Sequence, residues 1–223
     1  MPQTLTEIRE ELAARGIRPK HKFGQNFLHD HNQLRKLLSA ANVQPGELVL
    51  EVGPGTGTLT ETLMDAGCEV VACELDRDMA EIVRSRNAHR MGAAPGKVTI
   101  VEADCLDGKH ALGAKALEAL AGRPFVLVAN LPYQAATPLM ATLLERHPEC
   151  RGQFVTIQRE VGDRLMAKAG DDADKATGLS EGKRRDALEK DFDRHRTVGY
   201  SGLGVGGALL AAGGGLLIFG GGF

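Results

Sequence analysis

Apolar residues along this chain follow two periods in succession. At Leu5, Ile8 and Leu12 they fall three or four residues apart, the spacing that gathers side chains on one face of a helix. Thr4 followed by Glu7 fits a capping box, and Gly16 is placed to close the helix. A turn-rich stretch, "IRPKHKFGQNFLHD", leads into a second helical pattern through Leu34, Leu37, Leu38 and Ala41, which Pro45-Gly46 ends.

From Glu47 onward the pattern alternates between short β-rich runs and helical segments. "ELVLEVG", "EVVACELD", "KVTIVEAD", "PFVLVAN" and "QFVTIQ" read as strands. Between and after them, "TLTETLMDAG", "DMAEIVRSRNAHR", a segment over roughly His110 to Ala121, one after Thr137 and one from Arg159 towards Ala169 read as helices. Strands that alternate with helices imply βαβ crossovers and a parallel sheet covered on both faces. The expected fold is α/β, a Rossmann-like, doubly wound, mainly parallel sheet of five strands. It divides into N-terminal helices and a basic segment (1–46), a core (47–170), a charged linker or solvated helix (171–201) and a Gly-rich apolar tail (202–223).

The tail changes the picture least predictably. Gly202 to Phe223 is uncharged, and 22 such residues in a helix are long enough to cross a bilayer. The basic residues Lys183, Arg184, Arg185, Lys190, Arg194 and Arg196 upstream would hold that flank in the cytoplasm. Against a membrane anchor stand ten glycines, each costing about 1 kcal/mol in a helix interior. A disordered or non-native tail competes with the anchor.

Composition narrows the chemistry. A chain of 223 residues can form one ordinary α/β domain and a small further element. The net charge of −2 excludes a global attraction to nucleic acid, so a basic footprint has to be local. One candidate contains Arg15, Arg18, Lys20, Lys22, Arg35 and Lys36 against Asp30, with His21, His29 and His31. Cysteines 68, 73, 105 and 150 form no CxxC pair and suit reduced thiols in a cytoplasmic protein. His29-Asp30-His31 has no further ligands clustered in sequence, so no metal is expected. The N-terminus lacks the basic and apolar regions of a signal peptide.

The candidate site lies at the ends of the strands. The first exits into Glu51-Val-Gly53-Pro-Gly55-Thr-Gly57, where glycines let the backbone turn tightly and approach a nucleotide-like ligand. The third glycine comes one residue too early for the dinucleotide fingerprint. Glu74 ends the second strand, where a carboxylate can accept both hydroxyls of a ribose, whether of NAD or of S-adenosylmethionine. Asp104 follows the third strand; its carboxylate could accept from an adenine amino group while the neighbouring Cys105 main chain donates to the ring. Asn130 ends the fourth, in "NLPYQAATPL". A ring amine is a poor nucleophile because its lone pair is delocalised. A carboxamide oxygen and a main-chain carbonyl that accept its hydrogens can localise that pair towards a methyl donor. Pro132 stiffens the turn and Tyr133 offers a face for a flipped base.

These motifs together resemble the small-subunit ribosomal RNA adenine N6-dimethyltransferases. The resemblance runs from about Ile17 to about Ala169 and rests on "RPKHKFGQNFLHD", "VLEVGPGTGTLTETL", "ELD", "EADCLD", "NLPYQAATPL" and "TIQREVGDRLMAKAG". It implies that Asn26, Leu28, Gly53, Gly55, Glu74, Asp104, Cys105 and Asn130 line an S-adenosylmethionine site. Asn130, Leu131, Pro132 and Tyr133 would receive the target adenine. The implied activity is dimethylation of two adjacent adenosines in small-subunit rRNA during ribosome maturation, by a cytoplasmic monomer whose partner is the immature subunit. A sibling family that methylates large-subunit rRNA is less similar in "NLPY" and "KFGQNFL". The family's last sheet hairpin, second base-clamping loop and helical C-terminal domain are not legible after Gly170. A binding-only remnant is therefore the alternative, and an NAD-dependent oxidoreductase a weaker one, since no Tyr-x-x-x-Lys relay follows the loop.

Overall fold

The computed structural model describes residues 3–17, 31–108, 110–131, 133–158, 198–199, 207–213 and 216–222. The expected helix from Arg159 towards Ala169, the histidines at 21 and 29, and Asn26, Leu28 and Pro132 lie outside the described residues.

Helix α1 (Leu5–Ala14) carries the capping box: the N–H of Glu7 donates to Thr4 Oγ1 at 3.2 Å, and the N–H of Thr4 to Glu7 Oε2 at 2.7 Å. Gly16, at φ 67°, turns the chain out of the helix while the N–H of Ile17 reaches back to the Leu12 carbonyl, a left-handed closure that favours glycine. Helix α2 (His31–Ala41) buries Leu34, Leu37 and Ala41.

The sheet begins with β1 (Leu48–Val52), then α3 (Thr58–Asp65), β2 (Glu69–Glu74), α4 (Arg77–Arg86) and β3 (Val98–Glu102). A small ribbon follows, β4 (Leu106–Asp107) with β5 (Ala111–Leu112), then α5 (Ala114–Leu120), β6 (Phe125–Asn130), α6 (Tyr133–Arg146) and β7 (Cys150–Gln158). The order is β3-β2-β1-β6-β7, all parallel. Because the chain runs outward from β1 to β3 and then returns to β1's other side with β6, the order reverses between β1 and β6. Ligands of open α/β sheets bind beyond the carboxyl ends of the strands at such a reversal.

Burial on both faces explains the strand composition. Val49, Val70 and Val126 face Leu37, Leu63 and Met64 of α2 and α3, while Leu50, Leu127 and Phe125 face Leu120, Leu139 and Leu143 of α5 and α6. Each fully buried side chain of this size contributes about 1.5 to 3 kcal/mol. A third cluster joins Ile8 and Leu12 of α1 to Met79 and Ile82 of α4. Arg86 spans the same seam, bonding Glu11 at 2.9 Å and Glu61 at 2.7 Å.

Three expectations are corrected. The helix expected from His110 starts at Ala114, because Ala111–Leu112 pairs with Leu106–Asp107 instead. The helix expected after Thr137 starts at Tyr133, so Pro138 lies inside it. Its ring forfeits one main-chain hydrogen bond, while buried Ala136, Leu139 and Leu143 pin the helix to the sheet. The sequence also predicts a sheet that stops at the fifth strand with the Gly-rich tail outside it. In the structure β8 (Val198–Gly199), β9 (Gly207–Gly213) and β10 (Leu216–Gly222) continue the sheet antiparallel, with β10 paired to β7 from Leu216↔Gln158 to Gly222↔Gly152. The outer edge of β7 offers a row of main-chain N–H and C=O groups, and an uncharged extended segment can pair with them without side-chain help. Among the described residues no helix is long and apolar enough to cross a membrane.

Candidate functional site

All five parallel strands end on one side of the sheet, and four of those ends carry the candidate residues. Val52 pairs with Cys73, and Glu74 with Glu102, so the β1, β2 and β3 tips stand side by side. Gly53 and Asn130 each lie three residues beyond the paired Leu50 and Leu127. The structure therefore brings the glycine loop, Glu74 and the Asn130 tip to one end, with Asp104 two residues past β3.

The loop needs its glycines for conformation. Gly53, Gly55 and Gly57 have φ of 73°, 59° and 89°, values other residues adopt only under strain. At Gly57 a Cβ would come no nearer than 3.4 Å to Val83 and 3.9 Å to the Asn87 amide, so its requirement is the backbone angle rather than space. The N–H of Gly53 donates to the Cys73 carbonyl and that of Gly57 to the Pro54 carbonyl, both at 2.9 Å. Gly57 caps α3 without a side chain, which leaves the helix's first N–H groups to be satisfied by other partners.

Glu74 is buried and closes the loop. Its Oε2 accepts from the N–H of Gly55 at 3.1 Å and its Oε1 from the N–H of Asp76 at 2.9 Å. Burial raises its carboxyl above the usual range, and those main-chain donors pull the other way. Beneath it Glu51, 1% exposed, accepts from the Thr60 hydroxyl at 2.7 Å, and burial pushes its carboxyl up to about 8. The loop is also strapped from outside: the side-chain amide of Gln3 donates to the Thr56 carbonyl at 3.2 Å and accepts from the Thr58 hydroxyl at 3.3 Å.

Asp104 is exposed and accepts from the N–H of Leu106 at 2.9 Å, an arrangement that fixes the carboxylate at the start of the β4–β5 ribbon. The thiol of Cys105 is buried in the core against Cys73, whose own thiol is held well above its ordinary range by that hydrogen bond and by burial. Cys105 can therefore serve a ligand only through its main chain. Leu131 is likewise a core residue by its side chain. Asn130, half-buried, accepts at Oδ1 from the Thr156 hydroxyl at 2.7 Å, and the N–H of Leu131 donates to the Thr156 carbonyl at 3.0 Å. Tyr133 opens α6. Among the described residues no cluster of metal ligands forms.

Sequence reasoning passes over four participants. Leu75, 53% exposed between Glu74 and Asp76, is an apolar surface beside the carboxylate, and the tripeptide "ELD" carried that signal. Glu51 sits inside the quoted loop but its burial is not visible in sequence. Gln3 and Thr156 act across long sequence separations and left no local signal. The resulting cradle has hydrogen-bond acceptors for hydroxyl groups at Glu74, an acceptor for an amino group at Asp104, and a carboxamide at the neighbouring tip.

The comparisons with known proteins agree with this geometry. "Ribosomal RNA small subunit methyltransferase A" of Leifsonia xyli subsp. xyli is 42% identical over 164 residues, which are 74% of this chain and 55% of that protein. The protein of the same name from Cutibacterium acnes is 39% identical over 169 residues, 76% of this chain and 53% of its own. This chain thus spans about half the length of the curated relatives it matches. Among solved structures, the 23S rRNA methyltransferase ErmE superposes with a TM-score of 0.51 at 25% identity, over 65% of this chain and 53% of that one. The family model for ribosomal RNA adenine dimethylase matches residues 16–181, most of the chain and every strand tip described above, and the protein belongs to that family.

Proposed function

We propose that this protein transfers methyl groups from S-adenosylmethionine to the N6 amine of adenine in small-subunit ribosomal RNA, in the cytoplasm and as a monomer, and that two adjacent adenosines are dimethylated. The observation that carries the reading is the set of neighbouring parallel strand ends bearing the glycine loop, Glu74, Asp104 and Asn130. The names of the relatives support the substrate class.

The donor set fits the cofactor. Gly53 and Gly55 admit a ligand against bare backbone, Glu74 has acceptor capacity for ribose hydroxyls beyond the main-chain N–H groups it already accepts, and Asp104 can accept from an adenine amino group. When bound, S-adenosylmethionine supplies a methyl group on a sulfonium, an electrophile that needs no metal. Asn130 then does the remaining work on the target base. Its amide oxygen accepts one hydrogen of the N6 amine, which draws the nitrogen lone pair out of the ring and aims it along the transfer axis. After transfer the nitrogen sheds a proton to solvent, so no general base is required.

The test is Asn130→Ala with under-methylated small subunits and methyl-labelled donor. Transfer should fall by at least about a hundredfold, with cofactor affinity by calorimetry within about twofold of the parent. Undiminished transfer would refute the role of Asn130. Cofactor binding by the unaltered chain with no transfer at all would leave it a binding protein only.

A further inference from the structure

We propose that Thr156 is a positioning residue for methyl transfer: its hydroxyl holds the Asn130 carboxamide in the orientation that receives the amine. The inference rests on the reading of Asn130 given above. Thr156 lies near the carboxyl end of β7, fully buried, level with Asn130 on β6 and with Ile218 on β10. Level residues on parallel strands point to the same face, so the hydroxyl and the carboxamide meet directly, at 2.7 Å. One residue further on, the Thr156 carbonyl takes the N–H of Leu131. Two consecutive residues of the active tip are therefore fastened to this one position.

Packing alone does not call for a threonine here. Valine has nearly the same shape, suits a buried strand at least as well, and carries no hydroxyl to desolvate. The neighbouring Val155 follows that rule. What the hydroxyl adds is a donor to Asn130 Oδ1. An Asn side chain rotates broadly about its last torsion, and an amide turned away presents the wrong atom to the amine. Donation by Thr156 orients the oxygen, and a carbonyl oxygen, with two lone pairs, has the capacity to accept from more than one donor.

The structural and positioning roles rank substitutions in opposite orders, and this makes the test decisive. Thr156→Val keeps shape and strand propensity but loses the donor; Thr156→Ser keeps the donor and loses a methyl group. Single-turnover transfer by the full chain should fall roughly tenfold in Thr156→Val, with cofactor Kd and the KM for subunits unchanged. Thr156→Ser should stay within about twofold of the parent despite a lower Tm. A second readout is independent of turnover: the side-chain NH2 signals of Asn130, identified by their loss in Asn130→Ala, should broaden or average in Thr156→Val and not in Thr156→Ser. Where the valine variant does not fold, Thr156→Cys, with a weaker donor of similar size, makes the same comparison. Parental rate and parental amide signals in Thr156→Val, alongside an inactive Asn130→Ala, overturn the role of Thr156 alone. Full transfer by Asn130→Ala overturns the site reading and this role with it.

Discussion

The Glu74 carboxylate and the main-chain N–H of Gly55 meet at 3.1 Å, joining the second strand tip to the loop after the first. The same carboxylate takes the N–H of Asp76, so its position is set before any ligand arrives. Glutamine at 74 can accept only through one atom and would set its own amide hydrogens against one of those N–H groups. Glu74→Gln should therefore weaken S-adenosylmethionine binding about tenfold or more, measured by calorimetry. Unchanged affinity would remove Glu74 from the cofactor site and leave it as a loop tether.

Gly113 controls Asp104 at a distance. A Cβ there would stand 2.7 Å from the Asp104 carbonyl oxygen, while its backbone, at φ −64° and ψ 144°, suits any residue. Space is thus the constraint, and the obstructing atom is main chain that cannot rotate away. Gly113→Ala should displace the segment from Asp104 to Leu106 and cost about 1 to 3 kcal/mol. The expected readouts are a lower Tm and a raised cofactor Kd, with Asn130's amide signals unmoved. A parental Tm would mean that the loop yields freely, and a lowered Tm with parental cofactor affinity would separate Asp104 from the cofactor site.

Glu51 makes stability depend on pH in the direction opposite to a carboxylate held by a cationic partner. Its folded-state value is about 8 against the usual 4.5, with burial the main cause. Between those values the folded chain holds a proton that the unfolded chain has released, so stability falls as pH rises through this window. Glu51→Gln is neutral at every pH and can still accept from the Thr60 hydroxyl. It should flatten the decline of Tm between about pH 4.5 and pH 8. An equal decline in both proteins would assign the slope to other groups. Glu69, held below the usual range by Arg123, acts in the opposite sense and loses its contribution only in acid. Arg123 is 43% exposed, so that pair is worth little in solvent.

Most of the fold was legible because local signals and tertiary needs agree. Val49-Leu50 and Val126-Leu127 point to opposite faces, both covered, and such runs can only be central parallel strands. The turn at Gly53 and the strand end at Glu74 are legible because backbone angle and strand-end position are encoded locally. Thr156 and Gln3 are not, since each acts through a partner 26 or at least 53 residues away. The start of α6 is not legible for a different reason: Pro138 is a strong local stop signal, and the burial of Leu139 and Leu143 outweighs it. The Gly-rich segment was hardest, because its strand pairing uses main-chain groups that composition does not reveal.

That pairing leads to the last prediction. β10 lies along β7 next to Thr156, which pairs with Ile218 on one side and Asn130 on the other. A chain ended at Gly170 lacks β8, β9 and β10 and leaves the β7 edge open. Each main-chain bond lost there removes about 1 kcal/mol, so Tm should fall, while on the proposed site cofactor affinity, carried mainly by the β1 to β3 tips, should be kept. An open edge also invites pairing between copies, so sedimentation should detect association in the shortened chain. Transfer should drop more than cofactor binding, because the strand that holds Asn130 has lost its outer support. If the shortened chain keeps its Tm, stays monodisperse and transfers methyl groups at the parental rate, the outer strands contribute neither to stability nor to the Asn130 tip.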